Sequence, residues 1–382
     1  MIYLDYNATT PVHPEVRAAI VAALENTFGN PSSSHAAGQA AKAIVDEARV
    51  VLASMLNANS STEIVFTGGA TEANNLALLG ATAHIEGERR HIIVSAIEHP
   101  SVIAPARELA QRGWTVSFAP VATDGVLDLE ALRAMLAQTP AALISVMHAN
   151  NELGTIQPIA EVGKLARQFG ALFHVDAAQS FGKIAVDVQL ANVDLLTIAG
   201  HKMYAPKGIG ALFVREGVGL RARVFGADQE AGRRPGTENV AYIAGLSAAA
   251  GLMRRSIDAW RDTAARRDRL QQGLLESIPG LCVSGSQEQR LPNTLHISLP
   301  TGSAREFLAT LKDDFALSPG AACHSGVGHE PSGVMLAIGA TAQQSVGAIR
   351  ISLGLETSDE EVAATLHHLP AAYSRYLAAR EH

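Results

Sequence analysis

The sequence predicts an α/β protein, with a mostly parallel sheet of seven strands between helices and a smaller α+β part after it. Three observations lead there. From about residue 63 to 215, short runs rich in Val, Ile and Phe alternate with helix-periodic segments. The runs are apolar at nearly every position, as strands buried on both faces require. After about residue 245 the alternation stops, and long helical patterns with a few strand-like runs take over. Repeated strand–helix alternation is the signature of a parallel sheet with crossover helices.

The strand-like runs fall at 64–66, 91–95, 116–118, 143–147, 172–175, 195–198 and 210–214. Helical patterns at 130–136 and 159–169 lie between them. Later, one long helical stretch carries Arg254, Arg255, Arg261, Arg266, Arg267 and Arg269 among acids, which reads as a solvated helix face. Strand-like runs at 281–283, 294–299 and 349–353, with helices at 304–312 and 359–377, complete the smaller part. The expected division is a large part over residues 14–245 and a small one formed by 1–13 and 246–382. A chain of 382 residues has room for both.

Composition narrows the function classes. Hydrophobic residues make up 47% and charged residues 18%, which excludes intrinsic disorder. Two cysteines exclude a disulfide-stapled scaffold and a Cys-rich zinc module. A net charge of −7 argues against nucleic acid as a partner. The first residues, Met1-Ile2-Tyr3-Leu4-Asp5, lack a basic targeting region. The apolar stretch 241–253 is too short to span a bilayer. A cytoplasmic protein with no membrane association is expected.

Three loops at strand ends could carry chemistry. Thr67-Gly68-Gly69-Ala70-Thr71 opens a helix, where free N–H groups, the helix dipole and the Thr71 hydroxyl suit an anion; a plain tight turn is the alternative. His174-Val175-Asp176-Ala177-Ala178-Gln179 ends a strand on a carboxylate, which could cap a helix or hold a heterocyclic nitrogen protonated. Ala199-Gly200-His201-Lys202 ends another, and a buried lysine there makes a Schiff-base nucleophile. Together the three meet the needs of pyridoxal 5'-phosphate: a phosphate site, a partner for the pyridine nitrogen and an amine for the aldehyde. His99, after another strand, could stack on the pyridine ring.

This constellation resembles the class V aminotransferase group of fold-type I pyridoxal phosphate enzymes, in particular its cysteine desulfurase and selenocysteine lyase branch. The resemblance runs along nearly the whole chain. It rests on Tyr3-Leu4-Asp5-Tyr6-Asn7-Ala8-Thr9-Thr10-Pro11, Phe28-Gly29-Asn30-Pro31-Ser32-Ser33, Gly69-Ala70-Thr71-Glu72-Ala73-Asn74-Asn75 and Asn150-Asn151-Glu152-Leu153-Gly154. It continues through His174 to Gln179, Gly200-His201-Lys202, Arg234-Pro235-Gly236-Thr237-Glu238-Asn239 and Gly320-Ala321-Ala322-Cys323-His324-Ser325.

The resemblance implies roles position by position. Lys202 would bond the cofactor's aldehyde and Asp176 would pair with its ring nitrogen. Gln179 would hydrogen-bond the phenolic oxygen, and His99 would stack and act in catalysis. Ala70, Thr71 and His201 would bind the phosphate, with Thr237 reaching in from a second subunit of a homodimer. Asn151 would line the substrate side, and Arg350 would clamp the substrate carboxylate. The serine common in the family two positions before His201 is Ala199 here, so one phosphate contact should be missing.

Cysteine usage sharpens the reading. Cys282 lies in an apolar run and reads as inert core. Cys323 sits among glycines, histidines and Ser325, where a thiolate could form with His324 or His329 nearby. A metal on Cys323, His324 and His329 is the competing reading, but the spacing matches no common zinc pattern. The implied reaction converts L-cysteine to L-alanine, with sulfur passing to Cys323 as a persulfide and then to an acceptor protein or small thiol, as in iron–sulfur cluster biosynthesis. Selenocysteine lyase is the alternative, followed by a plain aminotransferase and by a non-catalytic scaffold for sulfur carriers.

Overall fold

The computed structural model describes residues 1–85, 89–320 and 332–380. The chain opens on a short strand, β1 (Ile2–Tyr3), and two helices, α1 (Pro14–Asn26) and α2 (Ala36–Leu56). The strands β2 (Ile64–Thr67), β3 (His91–Ser95), β4 (Thr115–Ala119), β5 (Leu143–Ser145), β6 (Leu172–Asp176), β7 (Leu195–Ala199) and β8 (Gly210–Val214) then build the large sheet. Its order is β2-β8-β7-β6-β5-β3-β4. Only β8 runs against its neighbours, so the sheet is mostly parallel, as the alternation predicts.

Interior strands β3, β7 and β8 are buried at every position, which explains their unbroken apolar runs. Edge strand β4 exposes Thr115 and Phe118 because it pairs on one side only. The run at 143–147 yields only three strand residues, yet Val146 and His148 still donate to the carbonyls of His174 and Asp176 (3.1 and 2.9 Å). Helices α3 (Ala70–Asn75), α4 (Pro100–Gln111), α5 (Leu129–Gln138) and α6 (Ile159–Phe169) connect the strands. Helix α6 matches its predicted span, and Gly170 (φ 65°) ends it in the left-handed conformation that favours glycine.

The long Arg-rich stretch is two helices, α7 (Val240–Arg255) and α8 (Ala259–Ser277). The expected boundary at 245 falls inside α7. On both sides of it, Val240, Ile243, Leu246, Ala249 and Met253 pack into the core of the large sheet. One arginine departs from the solvated-face reading. Arg267 is buried, and its Nη1 donates to the Leu291 carbonyl at 2.6 Å. The 270s of α8 cover the small core instead.

That core belongs to a second sheet. Strands β9 (Cys282–Ser284), β10 (Thr294–Ser298), β11 (Phe315–Ala316), β12 (Ser318–Pro319) and β13 (Ala348–Ser352) follow. Four of them form an antiparallel sheet in the order β12-β13-β10-β9, while β11 pairs with β1. Leu4, Leu270, Leu274, Ile297, Phe307, Ile351 and Tyr373 fill its core. Cys282 is not core: it is exposed. Strand β9 is a three-residue edge, and alternation turns Val283 towards the small core and leaves Cys282 on the other face. Among the described residues, no helix is long and apolar enough to cross a membrane.

Phe307 is fully buried and meets Tyr373 edge-to-face at 5.4 Å between ring centroids. Phe307→Ala should therefore cost about 3–5 kcal/mol of stability. The measurement is the urea unfolding midpoint, and an unchanged midpoint would contradict the packing described.

Candidate active site

A cavity of about 780 Å³ opens at the carboxyl ends of the parallel strands, where open α/β sheets place their ligands. The sequence-named residues Ala70, Thr71, His99, Asn151, Asp176, Gln179, His201, Lys202 and Arg350 all line it. So does Ala199, the position at which a hydroxyl was expected to be lost.

The glycine turn leaves β2 and starts α3. Gly69 has φ 149° and ψ 175°, a conformation essentially restricted to glycine, and no side chain caps the helix start. The first N–H groups of α3 are therefore left for another acceptor. Just before the helix, the Gly68 N–H is taken, because Glu72 Oε2 accepts from it at 2.6 Å. Arg234 pairs with the same carboxylate (Nε to Oε1, 2.8 Å) and ties the later loop to this turn.

Asp176 ends β6 with both carboxylate oxygens engaged. Oδ1 accepts from the Ala178 backbone (2.9 Å) in a tight turn; the chain continues from there to β7 without a helix among the described residues, so the helix-cap alternative does not hold. Oδ2 accepts from Asn74 Nδ2 (2.8 Å), and the same amide donates to Ser101 Oγ (2.8 Å). Ser101 in turn meets His99: its N–H donates to Nδ1 at 3.1 Å and its Oγ lies 2.8 Å away. A ring nitrogen that accepts carries no proton, so the His99 proton sits on Nε2. Asn74 and Ser101 thus join Asp176 to His99 through buried polar atoms. Sequence reasoning assigned them no role; Asn74 lies one turn into the glycine motif and was the readable signal.

Lys202 follows β7 in a short turn, and its ammonium is held by the backbone carbonyls of Asn7 and Ala8 (2.8 Å to Ala8). His201 Nδ1 lies 3.2 Å from Thr9 Oγ1. Burial, with Lys202 and Lys207 adding repulsion, lowers its pKa to about 4, so the ring is neutral at pH 7. Gln179 donates from Nε2 to the Asn7 carbonyl (2.9 Å).

Arg350 is almost fully buried. Its Nη2 pairs with Asp5 Oδ1 (2.7 Å) and reaches Ser318 Oγ (3.3 Å), while Nη1 donates to the Asn151 carbonyl (3.1 Å). The guanidinium thus joins an internal ion pair and also faces the cavity. Thr237 does not line this cavity; it is exposed and borders a smaller one of about 150 Å³ on the far side of Gly68. Cys323, His324 and His329 lie outside the described residues.

The donor set fits one class of ligand. An amine, a fixed carboxylate, a flat imidazole and an uncapped helix start around one cavity suit a phosphorylated heterocyclic aldehyde. The comparisons agree with that chemistry. Residues 2–365 match the family model described as Aminotransferase class-V. A cysteine desulfurase from Trichormus azollae is 44% identical over 377 residues, covering 98% of this chain and 93% of that protein. A cysteine desulfurase IscS from Anaeromyxobacter dehalogenans is 43% identical over 366 residues, covering 94% and 89%. Among solved structures, a NifS-like protein superposes with a TM-score of 0.91 at 33% identity, covering 98% of this chain and 99% of its own. SspA in complex with cysteine gives 0.81 at 33% identity, covering 92% and 99%.

Beside the cavity, Glu98 is buried with its carboxyl pKa pushed up to about 8, chiefly by desolvation. Its Oε1 accepts from Ser95 and Met147, while Oε2 has no hydrogen-bond partner among the described residues. Unfolding restores a pKa near 4.5. The folded state therefore holds the extra proton between about 4.5 and 8, and this group's contribution to stability falls as pH rises through that window. Glu98→Gln should remove the slope. Urea midpoints of the two proteins should draw apart from pH 5 to pH 8, with the variant the more stable at pH 8; parallel curves would refute the assignment.

Proposed function

The chain belongs to the class-V aminotransferase family, and within it we propose that it works as a pyridoxal phosphate-dependent cysteine desulfurase. The observation that carries this reading is the convergence of Lys202, Asp176 and His99 on one cavity beside the Gly68–Gly69 turn. Kinship with proteins named cysteine desulfurase over nearly the whole chain supports the same substrate.

Lys202 would bond the cofactor, Asp176 would hold its ring nitrogen, Gln179 would meet its phenolic oxygen and His99 would stack on it. Ala70, Thr71 and His201 are the phosphate side. When bound, pyridoxal phosphate supplies an electron sink for the pair left on the substrate's α-carbon. Lys202 is the base that takes the α-proton, and the fixed Asp176 carboxylate keeps a proton at the ring nitrogen. Arg350 receives the substrate carboxylate, with Asn151 beside it. Cys323 thiolate attacks the substrate sulfur. A new S–S bond forms, the C–S bond breaks, and alanine leaves while the sulfur stays as a persulfide. An acceptor protein or small thiol then removes it. The exposed Thr237 suits a homodimer in which it serves the partner's phosphate site.

The pure protein incubated with L-cysteine and a reductant should release alanine and sulfide in equal amounts. Cys323→Ser should abolish this while leaving the visible absorption of bound pyridoxal intact. Persistence of L-cysteine turnover in that variant would sink the persulfide step, and selective retention of L-selenocysteine turnover would favour a lyase. Arg350→Ala should raise KM for L-cysteine at least about tenfold, the loss of one charge-assisted hydrogen-bonded contact. Sedimentation of the active enzyme as a monomer would exclude the shared site.

A further inference from the structure

A second lysine lies beneath the site and has no part in the reaction described above. Lys183 follows the turn at Gly182 (φ 83°), and only 3% of its surface is exposed. Its ammonium has two neutral partners, Gln179 Oε1 at 3.1 Å and Asn7 Oδ1 at 3.2 Å. The charges acting on it are both cations, Lys202 after β7 and Arg350 on β13. Burial and these neighbours hold its pKa well below the ordinary lysine range. A surface-seeking side chain placed here with no carboxylate partner among the described residues needs a reason other than stability.

The reason lies in the amide above it. Gln179 uses Oε1 to accept from Lys183 and Nε2 to donate to the Asn7 carbonyl. A flipped amide would set N–H against N–H at Lys183 and oxygen against oxygen at Asn7. Only one orientation satisfies both ends, and it leaves the second Nε2 hydrogen for an acceptor in the cavity that Gln179 lines. Without the Lys183 donor, half of that constraint disappears.

Resting on the reading of Gln179 as the partner of the cofactor's phenolic oxygen, we infer that Lys183 is a positioning residue that locks the Gln179 amide with its N–H towards that oxygen. The lock is a hydrogen bond supplied from below, so it acts on the cofactor only through Gln179. Through the same pair of bonds it also anchors Asn7, whose carbonyl holds Lys202.

The test uses the holoenzyme and the pH titration of its visible absorption band, which reports the protonation of the bound chromophore and not turnover. Gln179→Ala should move the titration midpoint by about one pH unit, as loss of a hydrogen bond to an ionised oxygen would. Lys183→Met should move it in the same direction, and the double variant should go no further than Gln179→Ala alone. Lys183→Arg, which keeps the donors, should return the midpoint to within a few tenths of the wild type; it also covers the case in which the Met variant does not fold. Additive shifts, a wild-type midpoint in Lys183→Met, or a displaced midpoint in Lys183→Arg would overturn the coupling. A wild-type protein with no visible band would instead overturn the underlying cofactor reading.

Discussion

A buried amide must find a partner for every polar atom it carries, and Asn7 meets that demand by joining the whole site. Its N–H donates to Ser352 Oγ on β13 (2.9 Å). Its Nδ2 donates to Thr294 Oγ1 on β10 and to the Asn151 carbonyl. Its Oδ1 accepts from Asn293 and Lys183, and its own carbonyl accepts from Gln179 and Lys202. One residue therefore ties the small sheet, the Asn151 loop, Gln179 and Lys202 into one arrangement. Leu4, packed in the small core, and Thr10, bonded to the His201 carbonyl, hold the segment taut on either side.

Charge around the cavity is arranged with similar economy. Lys202 and Arg350 bring positive charge, and the acids that answer it among the described residues are few and each fixed by hydrogen bonds. Asp176 is held by Asn74 and the Ala178 backbone, and Asp5 by Arg350 and Ser318. The imidazole of His201 is neutral, so the histidine beside Lys202 adds a dipole and not a third charge there. A site built this way favours anionic ligands, both a phosphate and an α-carboxylate, before any specific contact is made.

Much of this was legible in the sequence because it is local. Continuous apolar runs read as interior strands, and the glycine turn, Asp176 and Lys202 stand at strand ends, where spacing alone brings them to one edge. What was not legible is long-range. Nothing near Lys183 shows that its amine meets Asn7, and nothing near Arg350 shows that Asp5 is its ion-pair partner. Cys282 misled because an apolar neighbourhood does not reveal which face of an edge strand is covered. Arg267 misled in the opposite sense: its helix is charged throughout, and only the Leu291 carbonyl, reached in the folded chain, accounts for its burial. The break between α7 and α8 carries no proline or glycine, so periodicity ran through it.

The N-terminal segment also constrains the order in which the enzyme can be made. Asn7 and Ser352 are separated by 345 positions along the chain, and Ile2 pairs with Phe315. During synthesis the first residues leave the ribosome long before their partners exist. The large sheet can form early, but the amide that seats Lys202 and Gln179 cannot be fully satisfied until β13 has emerged. A nascent chain therefore carries the N-terminal strap and most of the cavity's walls before β13 is there to seat the strap, and the site is completed only in about the last tenth of translation.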